Sequence, residues 1–246
     1  MLRTAGNKIT WCGHATLQIT ASNGKVILID PWVEGNPSFP PSMKSFPQVD
    51  LILVTHAHSD HAGDVVSLAR AHNAAPVVAI YELALHFGSK GVANILPMGK
   101  GGTQRIGDVE VSMVHAIHSS SIDENGKSLF AGDAAGLIVR LPGGFTLYHA
   151  GDTCVFGDMK IIGELYKPDL VCLPIGDHST MGPREAAYAI RLLGVHHVLP
   201  IHYGTFPALT GTPEALRELT QDIAGLEIHA LKPGESIGES KRAASR

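Results

Sequence analysis

Short apolar runs separated by turn residues dominate the chain, and most of them have the length of a β-strand. The run at 26–29 is apolar throughout and ends at Asp30-Pro31, which is typical of a buried strand that leads into a loop. The same pattern recurs many times along the chain. It predicts strands over 8–12, 16–20, 26–29, 50–55, 76–80, 108–117, 128–133, 136–141, 145–150, 169–175 and 198–201.

Helical spacing alternates with these runs, which indicates an α/β protein. Helices are predicted over 63–73, 81–88 and 157–166, and two more begin at Pro183 and Pro213, where proline suits the first helical position. Residues 31–49 contain five prolines and no periodicity, so they form a long loop. A loop of this length in a folded domain is typical of a lid or the mouth of a site.

The two halves of the chain resemble each other. The segment VDLILVTHAHSDH at 49–61 is echoed by PDLVCLPIGDHST at 168–180, and each is a strand that brings polar residues to its C-terminal end. No linker-like composition separates the halves. We therefore predict one domain over 1–238, with two similar β-rich halves and the helices outside, followed by a polar tail over 239–246.

Composition excludes several classes of protein. With 44% hydrophobic and 17% charged residues, the chain can bury a substantial core. A net charge of −4 provides no basic surface for nucleic acid or anionic membrane, and no apolar run has the length of a signal peptide or a membrane span. The expected location is cytoplasmic. The three cysteines have no CxxC spacing and are predicted to be reduced core thiols, with a reservation for Cys154, which follows Asp152 closely.

Histidine carries the candidate chemistry. The motif His56-Ala-His-Ser-Asp-His61 places three imidazoles and one carboxylate within six positions. Alternate residues at a strand end share a side, so His56 and His58 converge on one ion, and a turn brings Asp60 and His61 to a second. This donor set suits zinc, manganese, iron or nickel. Solvated histidines in a polar loop are the alternative, which is disfavoured because four ligand-type residues rarely coincide so closely.

Three other strand ends supply the remaining candidate ligands, namely His118, Asp152 and His202. Asp152 is the best candidate to bridge two cations, because a carboxylate has two oxygens. His115 is an alternative to His118, but it is expected to lie within the strand. His149 is expected to support the site by hydrogen bonding.

These motifs resemble the metallo-β-lactamase superfamily, whose hallmark HxHxDH is present at 56–61. Within it, the chain resembles a branch of uncharacterised metal-dependent hydrolases related to ascorbate-6-phosphate lactonase. Three segments carry this resemblance, namely Trp11-Cys-Gly-His-Ala15, Ile29-Asp-Pro31 and Thr180-Met-Gly-Pro183, and it covers nearly the whole chain. It implies an α/β fold, the αβ/βα four-layer sandwich, in which two mixed β-sheets have helices outside. It also implies that oligomers are common in the family. By position, it implies His56, His58 and His118 on one metal, Asp60, His61 and His202 on another, and Asp152 shared.

The predicted activity is that of a hydrolase with two divalent ions, zinc first, whose metal-bound hydroxide attacks a small-molecule ester, lactone or amide. Asp60 is expected to hold the hydroxide's proton. His178 is a candidate proton donor to the leaving group, or else a supporting or surface residue. A phosphodiesterase or nuclease, an iron-based redox protein and a non-catalytic metal-binding protein are alternatives. No G-x-S-x-G or H-E-x-x-H motif occurs in the sequence.

The remaining aromatic residues and histidines are given roles as follows. Aromatic residues in 31–49 and 203–212 either line a substrate mouth or pack a lid; they are Trp32, Phe39, Phe46, Tyr203 and Phe206. His14 and Asp30 are expected to orient ligands. The remaining histidines are expected to be surface or helix-end residues, namely His72, His86, His196, His197 and His229.

Overall fold

Two seven-stranded mixed sheets form the centre of the protein, seen in a computed structural model that describes residues 2–72 and 75–239. Of the polar tail predicted over 239–246, residues 240–246 lie outside the described residues. In spatial order, sheet A contains β16 (Ser236–Ile237), β1 (Lys8–Trp11), β2 (Leu17–Thr20), β3 (Val26–Ile29), β4 (Leu51–Leu53), β5 (Val77–Ile80) and β6 (Ile95–Met98). Sheet B contains β15 (Glu227–Ile228), β14 (His197–Ile201), β13 (Leu170–Pro174), β12 (Thr146–His149), β11 (Ala135–Arg140), β8 (Val109–His115) and β7 (Thr103–Ile106).

The two sheets share one plan, as the sequence echo between 49–61 and 168–180 predicts. In sheet A, strands β1 to β3 are antiparallel and β3 to β6 are parallel. In sheet B, β7, β8, β11 and β12 are antiparallel and β12 to β15 are parallel. The echoed segments supply β4 and β13, which occupy equivalent places in the two sheets.

Helices cover the outer faces of both sheets. Their bounds are α1 (Ser59–Ala62), α2 (Val65–Ala71), α3 (Tyr81–Ser89), α4 (Met159–Tyr166), α5 (Pro183–Leu193) and α6 (Pro213–Thr220), and a 3-10 turn spans Pro41–Met43. One apolar core joins the sheets to each other and to α2 and α3. A second joins sheet B to α4, α5 and α6. The order of layers is therefore helix, sheet, sheet, helix, which is the four-layer sandwich implied by the family resemblance.

Several predicted elements change in detail. The helix predicted over 63–73 corresponds to α2 alone, which begins at Val65, and residue 73 lies outside the described residues. The sequence did not predict α1, which precedes it and is separated from it by Gly63 and Asp64. The Asp64 carboxylate accepts backbone N–H groups from Val33 and Glu34 at this point. The strand predicted over 128–133 is one arm of a two-stranded hairpin, β9 (Ser121–Glu124) and β10 (Lys127–Phe130). Among the described residues, five strands escaped prediction, namely β6, β7, β9, β15 and β16. They are short or carry polar residues, so their apolar pattern is weak.

The prediction for the cysteines is wrong at one position. Cys12 and Cys172 are buried thiols, but Cys154 is exposed in the loop that follows Asp152. Burial raises the pKa of the Cys12 thiol to about 12. In the part of the chain that the structure describes, no helix is long and apolar enough to cross a membrane.

Candidate metal centre

Strand ends from both sheets meet at one edge of the sandwich and bring the candidate ligands together. Sheet A contributes residues that follow β1, β3 and β4, and sheet B contributes residues that follow β8, β12 and β14. β12, β13 and β14 are parallel, so β12 and β14 end at the same edge of sheet B. The ligand-type side chains collected there are His14, Asp30, His56, His58, Asp60, His61, His118, Asp152 and His202.

Four of these residues form one ligand group, His56, His58, His118 and Asp152. His56 Nε2 lies 3.0 Å from His58 Nδ1 and 3.9 Å from Asp152 Oδ2. His118 Nε2 lies 3.5 Å from the same carboxylate oxygen. Nitrogen and oxygen atoms at such spacings can reach a common cation about 2.0–2.2 Å from each of them.

A second ligand group lies beside the first and contains His14, Asp60, His61 and His202. Asp60 Oδ2 lies 3.0 Å from His14 Nε2 and 3.8 Å from His202 Nε2. Asp152 also faces this group, with Oδ2 3.1 Å from His202 Nε2 and Oδ1 3.3 Å from His61 Nε2. The Asp152 carboxylate therefore stands between the two groups.

Buried polar atoms without hydrogen-bond partners identify this cluster as suited to cations. Among the described residues, they include His61 Nε2, Asp152 Oδ1 and both ring nitrogens of His202. An unpaired buried polar atom is costly, and native structures nearly always provide a partner. Imidazole nitrogens and carboxylate oxygens that converge in this way are the donor set of zinc and related divalent ions. The residues present therefore fit a metal.

Asp30 fixes the orientation of His61 from behind. Its Oδ1 accepts the Thr55 backbone N–H at 2.8 Å, and its Oδ2 accepts the Thr55 hydroxyl at 2.7 Å. The same Oδ2 lies 2.8 Å from His61 Nδ1, which donates its proton to it. The other nitrogen of the His61 ring, Nε2, is thereby directed at Asp152. A carboxylate that holds the far nitrogen of a ligating imidazole is a regular feature of metal sites.

His14 holds Asp60 in a similar way. Burial lowers the pKa of His14 to about 4, although the hydrogen bond to Asp60 opposes this shift, so the ring is neutral. Its single proton belongs on Nε2, which donates to Asp60, while Nδ1 accepts the Thr205 hydroxyl at 3.0 Å. The backbone N–H of His202 donates to the His14 carbonyl oxygen at 2.8 Å. His14 therefore connects the second ligand group to the loop after β14.

The carboxylates and imidazoles at the centre shift one another's pKa. Burial alone would raise the pKa of Asp152, but the facing imidazoles of His61 and His202 outweigh it and hold this pKa well below its ordinary value. Burial also opposes a proton on His61, yet Asp152 and Asp30 raise the pKa of this ring well above its usual range. Burial, reinforced by His61, lowers the pKa of His56. A divalent cation would supply the positive charge that a proton on His61 otherwise provides.

Backbone strain accompanies these contacts. His14, Asp30 and His202 have φ values of 54°, 47° and 57°, in the left-handed region that residues with a Cβ rarely adopt. Each stands at the first turn after a strand, where the conformation redirects the side chain toward the centre. Outliers of this kind cluster at functional sites.

Other sequence candidates have different positions. His115 is exposed on β8, with Nδ1 3.2 Å from Lys100 Nζ, and lies outside both ligand groups. His149 is buried and satisfied: Nε2 donates to the Ala15 carbonyl oxygen, and Nδ1 accepts from Gly151 N–H. His178 is exposed after β13, and no hydrogen bond, ion pair or ring contact among the described residues joins its side chain to the cluster. Its role as proton donor stays a prediction.

The five aromatic residues divide into two sets. Trp32 and Phe206 lie beside His14, with ring centroids 5.1 and 5.8 Å from its ring, so they border the centre. Phe39 and Phe46 are buried in the core and contact each other, and Tyr203 stacks on Trp11 at 5.1 Å. The long loop therefore contributes one aromatic residue to the site and two to packing.

A four-layer sandwich of two mixed sheets, with a His/Asp cluster at one edge, defines the metallo-β-lactamase fold class. The family model for the beta-lactamase superfamily domain matches residues 25–203. The chain is 50% identical over 235 residues to a UPF0173 metal-dependent hydrolase of Rubrobacter xylanophilus, covering 95% of this chain and 97% of the relative. A UPF0173 metal-dependent hydrolase of Chloroflexus aurantiacus is 51% identical over 234 residues, covering 93% and 96%.

Solved structures agree with this assignment. Igni18, a metallo hydrolase from the archaeon Ignicoccus hospitalis, superposes with a TM-score of 0.83 at 31% identity, covering 94% of this chain and 97% of that protein. The chain therefore belongs to the metallo-β-lactamase superfamily. Within it, the protein is a metal-dependent hydrolase.

Proposed function

We propose that the centre holds two divalent metal ions, zinc first, and hydrolyses a small-molecule ester, lactone or amide. The observation that carries this proposal is the position of Asp152 between the two ligand groups. Its Oδ2 faces His118 of the first group and His202 of the second, and its Oδ1 faces His61 of the second. His56, His58 and His118 would hold one ion, and Asp60, His61 and His202 the other. When bound, such ions supply Lewis acidity and a water whose pKa is brought toward neutrality.

Asp60 is placed and charged to orient the water that takes part in this reaction. Asp60 is held by His14 at 3.0 Å, and it is only partly buried, so a free lone pair can orient a water proton at the rim of the centre. Burial would raise the pKa of Asp60, but the hydrogen bond from His14 and the charge of His61 keep it below its ordinary value. Asp60 therefore stays ionised and able to accept a hydrogen bond from a water molecule.

A cavity of about 540 Å³ opens beside the centre, and its walls include His58 and Asp60. Its volume suits a small molecule. α2, α3 and the β9–β10 hairpin supply its apolar lining, which consists of Val66, Leu83, Phe87 and Ile122. With the net charge of −4, this lining favours a small organic substrate over nucleic acid.

Metal removal and reconstitution test the proposed activity. The protein stripped with a chelator is expected to lose hydrolysis of p-nitrophenyl esters and simple lactones, and zinc, manganese, nickel or ferrous iron is expected to restore it. Elemental analysis of the reloaded protein should approach two ions per chain. His58→Ala should hold fewer ions and turn over at least about 10²-fold more slowly.

His115→Ala is the matched control, since it removes an exposed imidazole that lies outside both ligand groups. It should keep the metal content and the rate of the unaltered protein. Turnover of bis-p-nitrophenyl phosphate alone would replace the ester proposal by a phosphodiesterase. Full activity without metal would contradict the scheme.

A larger side chain in the cavity is expected to weaken substrate binding selectively. Val66 is half-buried on α2 and faces the cavity, so Val66→Phe should occupy space needed by the substrate. We expect KM for the best ester or lactone to rise about tenfold, with little change in kcat, because remote binding contacts are lost. Leu85→Phe on the exposed side of α3 is the control and should leave KM unchanged. An unaltered KM in Val66→Phe would exclude this cavity as the substrate pocket.

A further inference from the structure

A second group of metal-binding side chains lies at the opposite end of β14 from His202. His197 begins β14, Glu227 begins the neighbouring edge strand β15, and His229 follows that strand directly. In contrast to the sequence prediction, His197 and His229 are not separate surface residues. Their ring centroids are 5.4 Å apart.

The strand register explains why the three side chains meet. His197 pairs with Glu227 in the parallel ladder, so these two residues project from the same face of the sheet. His229 is two residues beyond Glu227 and therefore shares that face. Backbone hydrogen bonds hold this register, from Glu227 N–H to the His196 carbonyl and from His229 N–H to the Val198 carbonyl, each at 2.8 Å.

The distances among the donor atoms match those of a metal site. His197 Nδ1 lies 3.2 Å from His229 Nε2 and 3.6 Å from Glu227 Oε2. His229 Nε2 lies 3.9 Å from the same carboxylate oxygen. Two ligands about 2.0–2.1 Å from a tetrahedral zinc ion are separated by roughly 3.4 Å. The three atoms thus lie near three corners of a tetrahedron.

Burial and charge also suit a cation. The side chains of His197 and His229 are 22% and 17% exposed, and that of Glu227 is 48% exposed, so an ion can enter from solvent. Burial, reinforced by His197, lowers the pKa of His229. This shift favours the neutral ring, which is the form that ligates metals.

We propose that His197, Glu227 and His229 form a separate site for a divalent transition-metal ion, with zinc as the first candidate and a fourth position left to water. Two imidazoles and one carboxylate are a sufficient protein ligand set for zinc. The ion would tie the two-residue edge strand β15 to β14. The five residues of β14 separate this site from His202 by roughly 16 Å, so an ion here is distinct from any ion at the hydrolytic centre.

Zinc stoichiometry in matched histidine variants tests the site. The unaltered protein, His229→Ala and His196→Ala are each dialysed against the same micromolar free zinc, and the bound metal is counted by elemental analysis. His196 is the control because it adjoins His197 in sequence but lies outside the group. We expect His229→Ala to bind about one zinc ion fewer per chain than the other two proteins. Equal zinc content in all three would overturn the proposal.

Hydrogen exchange provides an independent readout that does not involve hydrolysis. Zinc should slow exchange of the amides at 227–229 in the unaltered protein and in His196→Ala, but not in Glu227→Gln, which keeps the side-chain volume and removes the charge. Since Glu227→Gln alters an exposed residue, it also covers the case in which His229→Ala fails to fold. Zinc protection that persists in Glu227→Gln would count against the site.

Discussion

Replacement of Asp152 by alanine is expected to lower kcat/KM at least about 10³-fold, equivalent to about 4 kcal/mol of transition-state stabilisation. The carboxylate is almost wholly buried, and its oxygens face His61, His118 and His202 at 3.1–3.5 Å. Its loss removes the negative charge that both ligand groups share. Steady-state kinetics with metal added in excess, together with elemental analysis, should reveal low turnover and a reduced metal content.

Asp158→Ala is the matched control for this experiment. Asp158 is exposed six residues further along the same loop, and its side chain caps no helix N–H group. This variant should retain both metal and activity. An Asp152→Ala protein that keeps full metal content and a rate within tenfold of the unaltered protein would contradict a bridging role.

Asp30→Asn is expected to weaken metal binding about 10- to 100-fold while the fold persists. An asparagine oxygen can replace only one carboxylate oxygen. Its NH₂ group would then face the Thr55 hydroxyl and His61 Nδ1, which both donate to Asp30. His61 can accept from that NH₂ only by moving its proton to Nε2, the atom directed at Asp152. The imidazole would then be a donor where the site requires a ligand. Competition with a chelator of known affinity measures the loss.

Asp50→Asn tests whether this effect is specific. Asp50 also accepts a backbone N–H from β3, namely that of Val26 at 2.8 Å, but it lies at the opposite end of the sheet. Both substitutions should reduce the free energy of unfolding, Asp30→Asn by about 1–3 kcal/mol because its hydrogen bonds are buried. Only Asp30→Asn should alter metal affinity. Equal affinities in the two variants would show that Asp30 has no part in orienting His61.

Much of this architecture follows from local sequence signals. The buried strands β3 and β4 are apolar throughout and lead into Asp30 and His56, so the sequence predicts both the strand and the polar residue that follows it. The preference for His118 over His115 depends on the expectation that His115 lies within the strand. In the structure, β8 ends at His115, and His118 Nε2 lies 3.5 Å from Asp152 Oδ2. Its role as a ligand remains a prediction, as do those of the other residues in the cluster.

The contacts that the sequence does not predict join residues that are far apart along the chain. The group formed by His197, Glu227 and His229 arises from the register between β14 and β15, whose residues lie about thirty positions apart. β15 itself has only two residues and no apolar alternation. The contact of His14 with both Asp60 and Thr205 likewise joins residues from three parts of the chain. No local pattern encodes such contacts, because they exist only once distant segments have paired within sheet B or the two sheets have packed together.

Assembly of the centre from both sheets has a consequence for biosynthesis. His14, in the loop after the first strand, contacts the ring of His202, with centroids 3.9 Å apart, and His202 is encoded late in a chain of 246 residues. A ribosome-bound chain therefore cannot offer the full set of ligands until most of it has been synthesised and both halves have docked. Ions held by the full set of ligands would stabilise the finished sandwich, at a free concentration of about 1,000 times Kd by about 4 kcal/mol. The supply of metal would thus influence the fraction of newly made chains that reach the folded state and resist proteolysis.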